Sequence, residues 1–125
     1  MPSFELDPRS PIRIADLLTI ERWHAQLAWQ PFRERIDAFR LYGVEGGGPS
    51  AVLLRYAPGG RVPWHEHIGH EHILVLAGSQ ADESGRASAG SLIVNRPGTA
   101  HSVVSEDGCI VLLIYELPVR FVPPP

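Results

Sequence analysis

Between Gly59 and Ser79 the chain reads GGRVPWHEHIGHEHILVLAGS, and its eight residues HEHIGHEH hold four of the six histidines together with two glutamates. Neutral imidazole and carboxylate are the side chains that bind borderline divalent ions, so the composition points to metal ligation wherever the geometry converges. In an extended strand alternate residues share a face, which places His65 and His67 together. A return through Ile68, Gly69 and His70 can bring Glu71 back to them, with Gly69 supplying backbone freedom and Ile73 and Val75 continuing on the face of Glu71 as an apolar floor. His70 and His72 have the opposite parity and are expected to face away, behind the ligands or into solvent. Three local ligands hold an ion weakly. The fourth candidate is His101, which follows the turn NRPGTA and opens the segment HSVVS; Pro97 and Gly98 make the turn, so a second strand starts at the histidine and runs beside the first. His65, His67, Glu71 and His101 form an N/O set that suits one divalent transition metal, zinc, iron, manganese, nickel or copper, rather than calcium. A five- or six-coordinate ion would keep one or two positions for water or a substrate oxygen.

Other candidates carry less. Trp64, between Pro63 and His65, is expected to pack at the mouth of the pocket. Arg55 and Tyr56 could bind an anion and a polar group of a substrate, or serve as a rim and a core residue; Tyr115 and Glu116 stay open in the same way. His24 has no partner in sequence and is expected at the surface or half-buried. No acid, base or substrate clamp is identifiable beyond the four ligands, so catalytic residues are unassigned, and no organic cofactor is expected.

The elements that must position the four residues are strands. Twelve glycines and twelve prolines divide the chain into short aliphatic and β-branched segments, SAVLLRY, EHILVLAG, SLIVN, HSVVS and CIVLLIYE, the pattern of a sandwich or barrel. DESG between Ser79 and Ser88, and EDG between Ser105 and Cys109, both read as hairpin turns. The one helical candidate is Asp16 to Ala28, where Leu17, Ile20, Trp23, His24 and Leu27 recur at helical spacing before Pro31; an extended arm is the alternative.

Size and charge bound the rest. A chain of 125 residues with 44% hydrophobic content furnishes one core, so a single domain over 1–125 is expected, with leading strands and an N-terminal arm in 1–42 and the core in about 43–121. The net charge of -3, from 14 acids and 11 arginines with no lysine, leaves no basic footprint for nucleic acid or an anionic membrane. The apolar run from Cys109 to Tyr115 is far shorter than the ~20 residues of a membrane-spanning helix, and MPSFELDPRSP does not read as a signal peptide, so a cytoplasmic protein is expected. The lone Cys109, among Ile110, Val111 and Leu112, excludes an intrachain disulfide and reads as a packed thiol.

These residues resemble the cupin family. Its first motif, glycine, five residues, His-x-His, three or four residues, Glu, six residues, Gly, is matched by Gly59, His65, His67, Glu71 and Gly78. The second, ending in Pro-x-Gly, two residues, His, three residues, Asn, is matched by Gly90, Gly98 and His101, with Arg96 at the proline position and Ser105 at the asparagine position. Arg96 is thereby a candidate for changing the charge at the pocket rim. From about Gly43 to Phe121 the stretches LLRYAPGGRVPWHEH, EHILVLAGSQADESG and SEDGCIVLLIYELPVRF are most similar to the cupin domain of ChrR-type anti-sigma factors. The resemblance implies an all-β double-stranded β-helix, or jelly-roll barrel, whose corresponding histidines and glutamate bind zinc in that family. The His and Cys zinc constellation of the family's sigma-binding domain is not seen here, which implies a free-standing cupin.

Two functional classes follow. One is a metalloenzyme, with dioxygenase-like or Lewis-acid chemistry on a small molecule. The other is a non-enzymatic metal-binding sensor or regulatory module. HILVL and CIVLLIY are apolar on both faces, so an outer sheet face needs a cover, and a homodimer is expected in which the arm residues Phe4, Leu6, Ile12 and Ile14 cross to the partner.

Overall fold

The computed structural model describes residues 8–125. Ten strands follow one another as β1 (Gln30–Arg33), β2 (Ile36–Tyr42), β3 (Ser50–Tyr56), β4 (Gly60–Glu66), β5 (Glu71–Asp82), β6 (Gly85–Ser88), β7 (Leu92–Asn95), β8 (Ala100–Ser105), β9 (Cys109–Tyr115) and β10 (Arg120–Phe121). All pairings are antiparallel. One sheet runs β1-β2-β3-β9-β5, with β7 on the other edge of β5; the opposite sheet runs β10-β4-β8 and joins β5 and β6. The fold is therefore all-β, a curled antiparallel shell of cupin type.

The twelve-residue β5 belongs to both sheets. Its first part pairs with β7 and β9, and its last residues pair with β6 and, through Ala81, with Val104 of β8. The switch falls at a bulge between Val75 and Ala77 and at Gly78, whose φ is +72°. A Cβ there would stand 2.2 Å from the Gly108 carbonyl oxygen, so only glycine lets the two backbones meet at this corner.

The DESG hairpin forms as expected, with Asp82 opposite Gly85. EDG does not make a hairpin. Ser105 ends β8 in one sheet, whereas Cys109 begins β9 in the other, between Tyr56 of β3 and Gly78 of β5. Gly108, at φ +89°, packs so close to the Tyr56 carbonyl that the chain crosses between sheets at this point instead of folding back on β8.

Side-chain alternation builds two apolar layers. Val52, Leu54 and Tyr56 of β3 point inward with Ile36, Ile73, Val75, Val103 and Val111. Leu53 points outward and joins Ile20, Leu27, Leu76 and Ile110 in a second cluster that Ile14, Leu17, Trp23 and Trp29 complete. The helical segment thus exists, but as two 3-10 turns, Leu17–Arg22 and His24–Gln26, rather than one α-helix. The three-residue spacing of Leu17, Ile20 and Trp23 matches the 3-10 period, and Trp23 at φ -135° breaks the run. Trp23 Nε1 donates to the Asp16 carbonyl at 2.9 Å, and Trp29 Nε1 to that of His24 at 2.7 Å, which fixes both rings against the sheet.

The outer face of the first sheet is thus covered in good part by the chain's own residues 14–29. Ile14 packs on its own sheet; Ile12 is exposed; Phe4 and Leu6 lie outside the described residues. Leu92, Val94 and Ile114 remain exposed on the β7-β5-β9 part of the shell. Among the described residues no helix is long and apolar enough to cross a membrane.

Ile20 is wholly buried on this cover. Ile20→Ala is expected to cost about 2–5 kcal/mol, read as a shifted midpoint in chemical denaturation. An unchanged midpoint would show that the segment does not pack on the sheet as described.

Candidate metal centre

The stretch GRVPWHEH forms β4, but a regular strand would not aim its histidines inward. Val62 pairs with Val103 and lines the interior, while His65 pairs with His101, so two residues, Pro63 and Trp64, lie opposite one on β8. This bulge reverses the parity after Val62 and turns His65 inward. Proline is tolerated there because the ladder is already interrupted. Trp64, half-buried, does not line the cavity, contrary to its expected place at the mouth. Phe32 and Phe121 do line it.

His67 lies just beyond β4, yet its amide donates to the Thr99 carbonyl at 2.8 Å and its own carbonyl accepts from Gly98 N at 2.8 Å. The NRPGTA turn therefore holds it beside the start of β8. Glu71 opens β5, opposite Asn95 on one side and Tyr115 on the other. Gly69 is required in the return for closeness rather than for an unusual dihedral: a Cβ would stand 2.9 Å from Glu116 Cβ.

These elements bring His65, His67, Glu71 and His101 together, all buried, with one potential ligand atom from each within 4.8 Å of all the others. The rings of His65 and His67 lie 4.7 Å from that of His101 and 5.1 Å from each other. Each imidazole is fixed from behind. His65 Nδ1–H donates to the Pro63 carbonyl at 2.7 Å, His67 Nδ1–H to the Thr99 carbonyl at 3.0 Å, and His101 Nδ1–H to Asp82 Oδ2 at 2.8 Å. Those bonds select the tautomer that carries its lone pair on Nε2, toward the cluster. Nε2 of His67 and of His101 are buried without a hydrogen-bond partner, although His67 Nε2 is 3.2 Å from Glu71 Oε1. Unpartnered buried nitrogens are costly in a folded protein, and a cation at their meeting point removes that cost. The cluster could hold a metal ion.

Electrostatics favour a neutral His65 beside an ionised Glu71. Burial lowers the His65 pKa below 6.5, against the opposing hydrogen bond to Pro63. Burial raises that of Glu71, but His67, whose Nε2 lies 3.2 Å from its Oε1 and donates and carries charge when protonated, together with Asn95 Nδ2 at 3.0 Å, outweighs it and holds the carboxyl below its usual 4.5.

The cluster opens into a cavity of about 530 Å³. Its walls are Val52, Leu54, Ile73, Val103, Val111 and Leu113, with Tyr56 and Gln80 among them and Arg33, Arg40 and Tyr115 as further polar groups. Burial raises the Tyr56 hydroxyl pKa far above its usual 10.0. Val75 belongs to the same apolar cluster as Ile73 but does not reach the cavity surface.

Arg55 does not line this cavity. It faces outward, where it pairs with Asp37 at 2.8 Å, contacts His24 Nδ1 at 3.1 Å and stacks on Trp29. His24 is half-buried there and its pKa is lowered by burial and by Arg55. His70 and His72 are exposed, as their parity requires, and His70 Nδ1 meets the exposed Glu116 at 2.8 Å. Arg96 is exposed and does not line the cavity. Ser105, at the asparagine position, is wholly buried and donates to the Ser79 carbonyl at 2.6 Å. Cys109 is a packed thiol whose pKa burial pushes up to about 11.

Residues 22–119 match the model of the ChrR cupin-like domain. The anti-sigma-E factor ChrR of Cereibacter sphaeroides is 33% identical over 123 residues, 96% of this chain and 55% of that protein. The chain thus spans about half the length of that curated relative. Among solved structures, the ChrR chain in the Rhodobacter sphaeroides SigE complex aligns with a TM-score of 0.69 at 32% identity, over 88% of this chain and 60% of that one. An acetylacetone dioxygenase from Acinetobacter johnsonii aligns with a TM-score of 0.71 over 98% of this chain and 84% of that one; at 15% identity it shows the fold alone.

Proposed function

The chain belongs to the ChrR cupin-like domain family, and from that premise we propose that it is a small metal-binding cupin acting on a small molecule. His65, His67, Glu71 and His101 hold one divalent transition metal at the wall of the 530 Å³ cavity. The observation that carries this reading is the convergence of buried imidazole Nε2 atoms, two of them unpartnered, whose Nδ1–H groups are already committed. A bound metal would supply Lewis-acid polarisation of a substrate oxygen or, if redox-active, activation of dioxygen. The chain's own contribution is the rest: Pro63, Thr99 and Asp82 hold the rings, and the aliphatic walls exclude water and strengthen fields inside.

A second reading is a sensor or regulatory module without catalysis. The 33% identity to an anti-sigma factor, spread over almost the whole chain, favours it. Elemental analysis followed by oxygen-uptake screening of small carbonyl and thiol compounds separates the two. Bound iron with substrate-dependent oxygen consumption supports the dioxygenase; bound zinc with no turnover of any compound, and a ligand-dependent change in stability, supports the sensor.

Homodimerisation is part of the same proposal. Its support is now the exposed Leu92, Val94 and Ile114 rather than an uncovered sheet. A dimer is expected in sedimentation at micromolar concentration, and a stable monomer would contradict it.

A further inference from the structure

Arg40 lines the same cavity as the candidate metal centre, on β2. Its Nη1 donates to Ser50 Oγ and approaches Tyr115 Oη at 3.5 Å. Among the described residues no carboxylate forms an ion pair with it, and no hydrogen bond leaves its Nε or Nη2. The Tyr115 O–H likewise has no acceptor among them. Arginine is charged at every relevant pH and offers only donors, so this pole of the cavity holds an excess of donors and a fixed positive charge beside aliphatic walls. The group that satisfies all of these at once is a planar anion with two acceptor oxygens.

The sheet relates this pole to the cluster. Tyr115 is the direct cross-strand partner of Glu71, and Ser50 that of Tyr115. Arg40 stands on β2, three inter-strand spacings from β5, or about 14 Å between backbones, and both side chains reach into the enclosed space. Val52 and Leu113 lie between, in the cross-strand row that runs from Arg40 to Ile73, two residues from Glu71 on β5. Glu34 and Glu45 also line the cavity but are exposed at its mouth.

We propose that Arg40 and Tyr115 receive the carboxylate of a small, otherwise aliphatic substrate or signal molecule whose far end carries an oxygen to the four-residue cluster. The assignment rests on the reading of that cluster as a metal site. It makes Arg40 the specificity-determining residue of the cavity, selecting a keto- or hydroxy-acid over a neutral ketone or ester.

Calorimetric titration of metal-loaded protein with 5-oxohexanoate and 7-oxooctanoate, each beside its methyl ester, tests this. At least one acid is expected to bind about 10- to 100-fold more tightly than its ester. Arg40→Gln should abolish that advantage while leaving metal content unchanged, and Tyr115→Phe should reduce it severalfold. Equal binding of acid and ester, a preference that survives Arg40→Gln, or no binding of either acid overturns the proposal. Metal content, measured on the same samples, separates it from the reading beneath: one ion per chain without acid preference sinks the carboxylate pole alone, whereas an Arg40-dependent preference in a chain that takes up no metal supports the pole and sinks the metal centre.

Discussion

His101→Ala is expected to abolish metal binding as completely as His65→Ala, although the two residues are 36 positions apart in sequence. They are direct partners across β4 and β8, their rings 4.7 Å apart, so each removes one of four converging ligand atoms. Two further variants grade the effect. Asp82→Asn keeps the imidazole but replaces the carboxylate that accepts from His101 Nδ1, and should weaken metal binding by about 10- to 100-fold. His72→Ala changes an exposed side chain on the outer face of β5 and should leave the affinity unchanged. Competition titration against a chromogenic chelator reads all four. Wild-type affinity in His101→Ala, or loss in His72→Ala alone, would mean that the cluster is not what binds the ion.

Acidification should remove the ion and the stability it confers together. The His65 pKa lies below 6.5 in the folded chain because burial disfavours the imidazolium. A lowered histidine pKa means that the unfolded chain takes up the proton first, so the stability held by the neutral ring is intact above about 6.5 and is lost as pH falls through the folded value. Metal ligation pushes in the same direction, since a protonated ring has no lone pair to give. The Glu71 pKa is held below 4.5, so the carboxylate keeps its charge until lower pH and is not the first group to fail. Thermal unfolding with metal present should therefore exceed that with chelator near neutrality, by an increment that grows with free metal as about 2.7 kcal/mol at a hundredfold excess over Kd. The increment should shrink as pH falls below about 6.5. An increment that stays unchanged on acidification through the imidazole range would place the ion on carboxylates elsewhere.

Much of this site was legible because its information is local. HEHIGHE fixes three side chains through strand parity and one tight return, and PGTAH places the fourth at a strand start. Even so, parity counted forward from Val62 turns His65 outward; only the Pro63–Trp64 bulge, which no alternation rule foresees, restores the inward aim and sends Trp64 away from the cavity. In sequence Asp82 reads only as a turn residue, since its bond to His101 depends on β5 bending into the second sheet. Arg40 gave no signal, being far in sequence from every ligand. EDG has the composition of a hairpin turn, and turn chemistry alone does not say whether the chain returns to the same sheet or crosses to the other. The apolar spacing from Asp16 to Ala28 reads as one helix or an extended arm, whereas two 3-10 turns form, because Trp23 breaks the run and the packing of Ile20 and Leu27 on the sheet sets the conformation.

The most direct test of the account is the metal content of the chain after equilibration at neutral pH with zinc, iron(II), manganese or nickel and removal of the unbound ion. One tightly held transition-metal ion per chain, lost when His67 is replaced by alanine, is the result predicted by four buried ligand atoms within 4.8 Å of one another. A folded chain that retains none of these ions would contradict it.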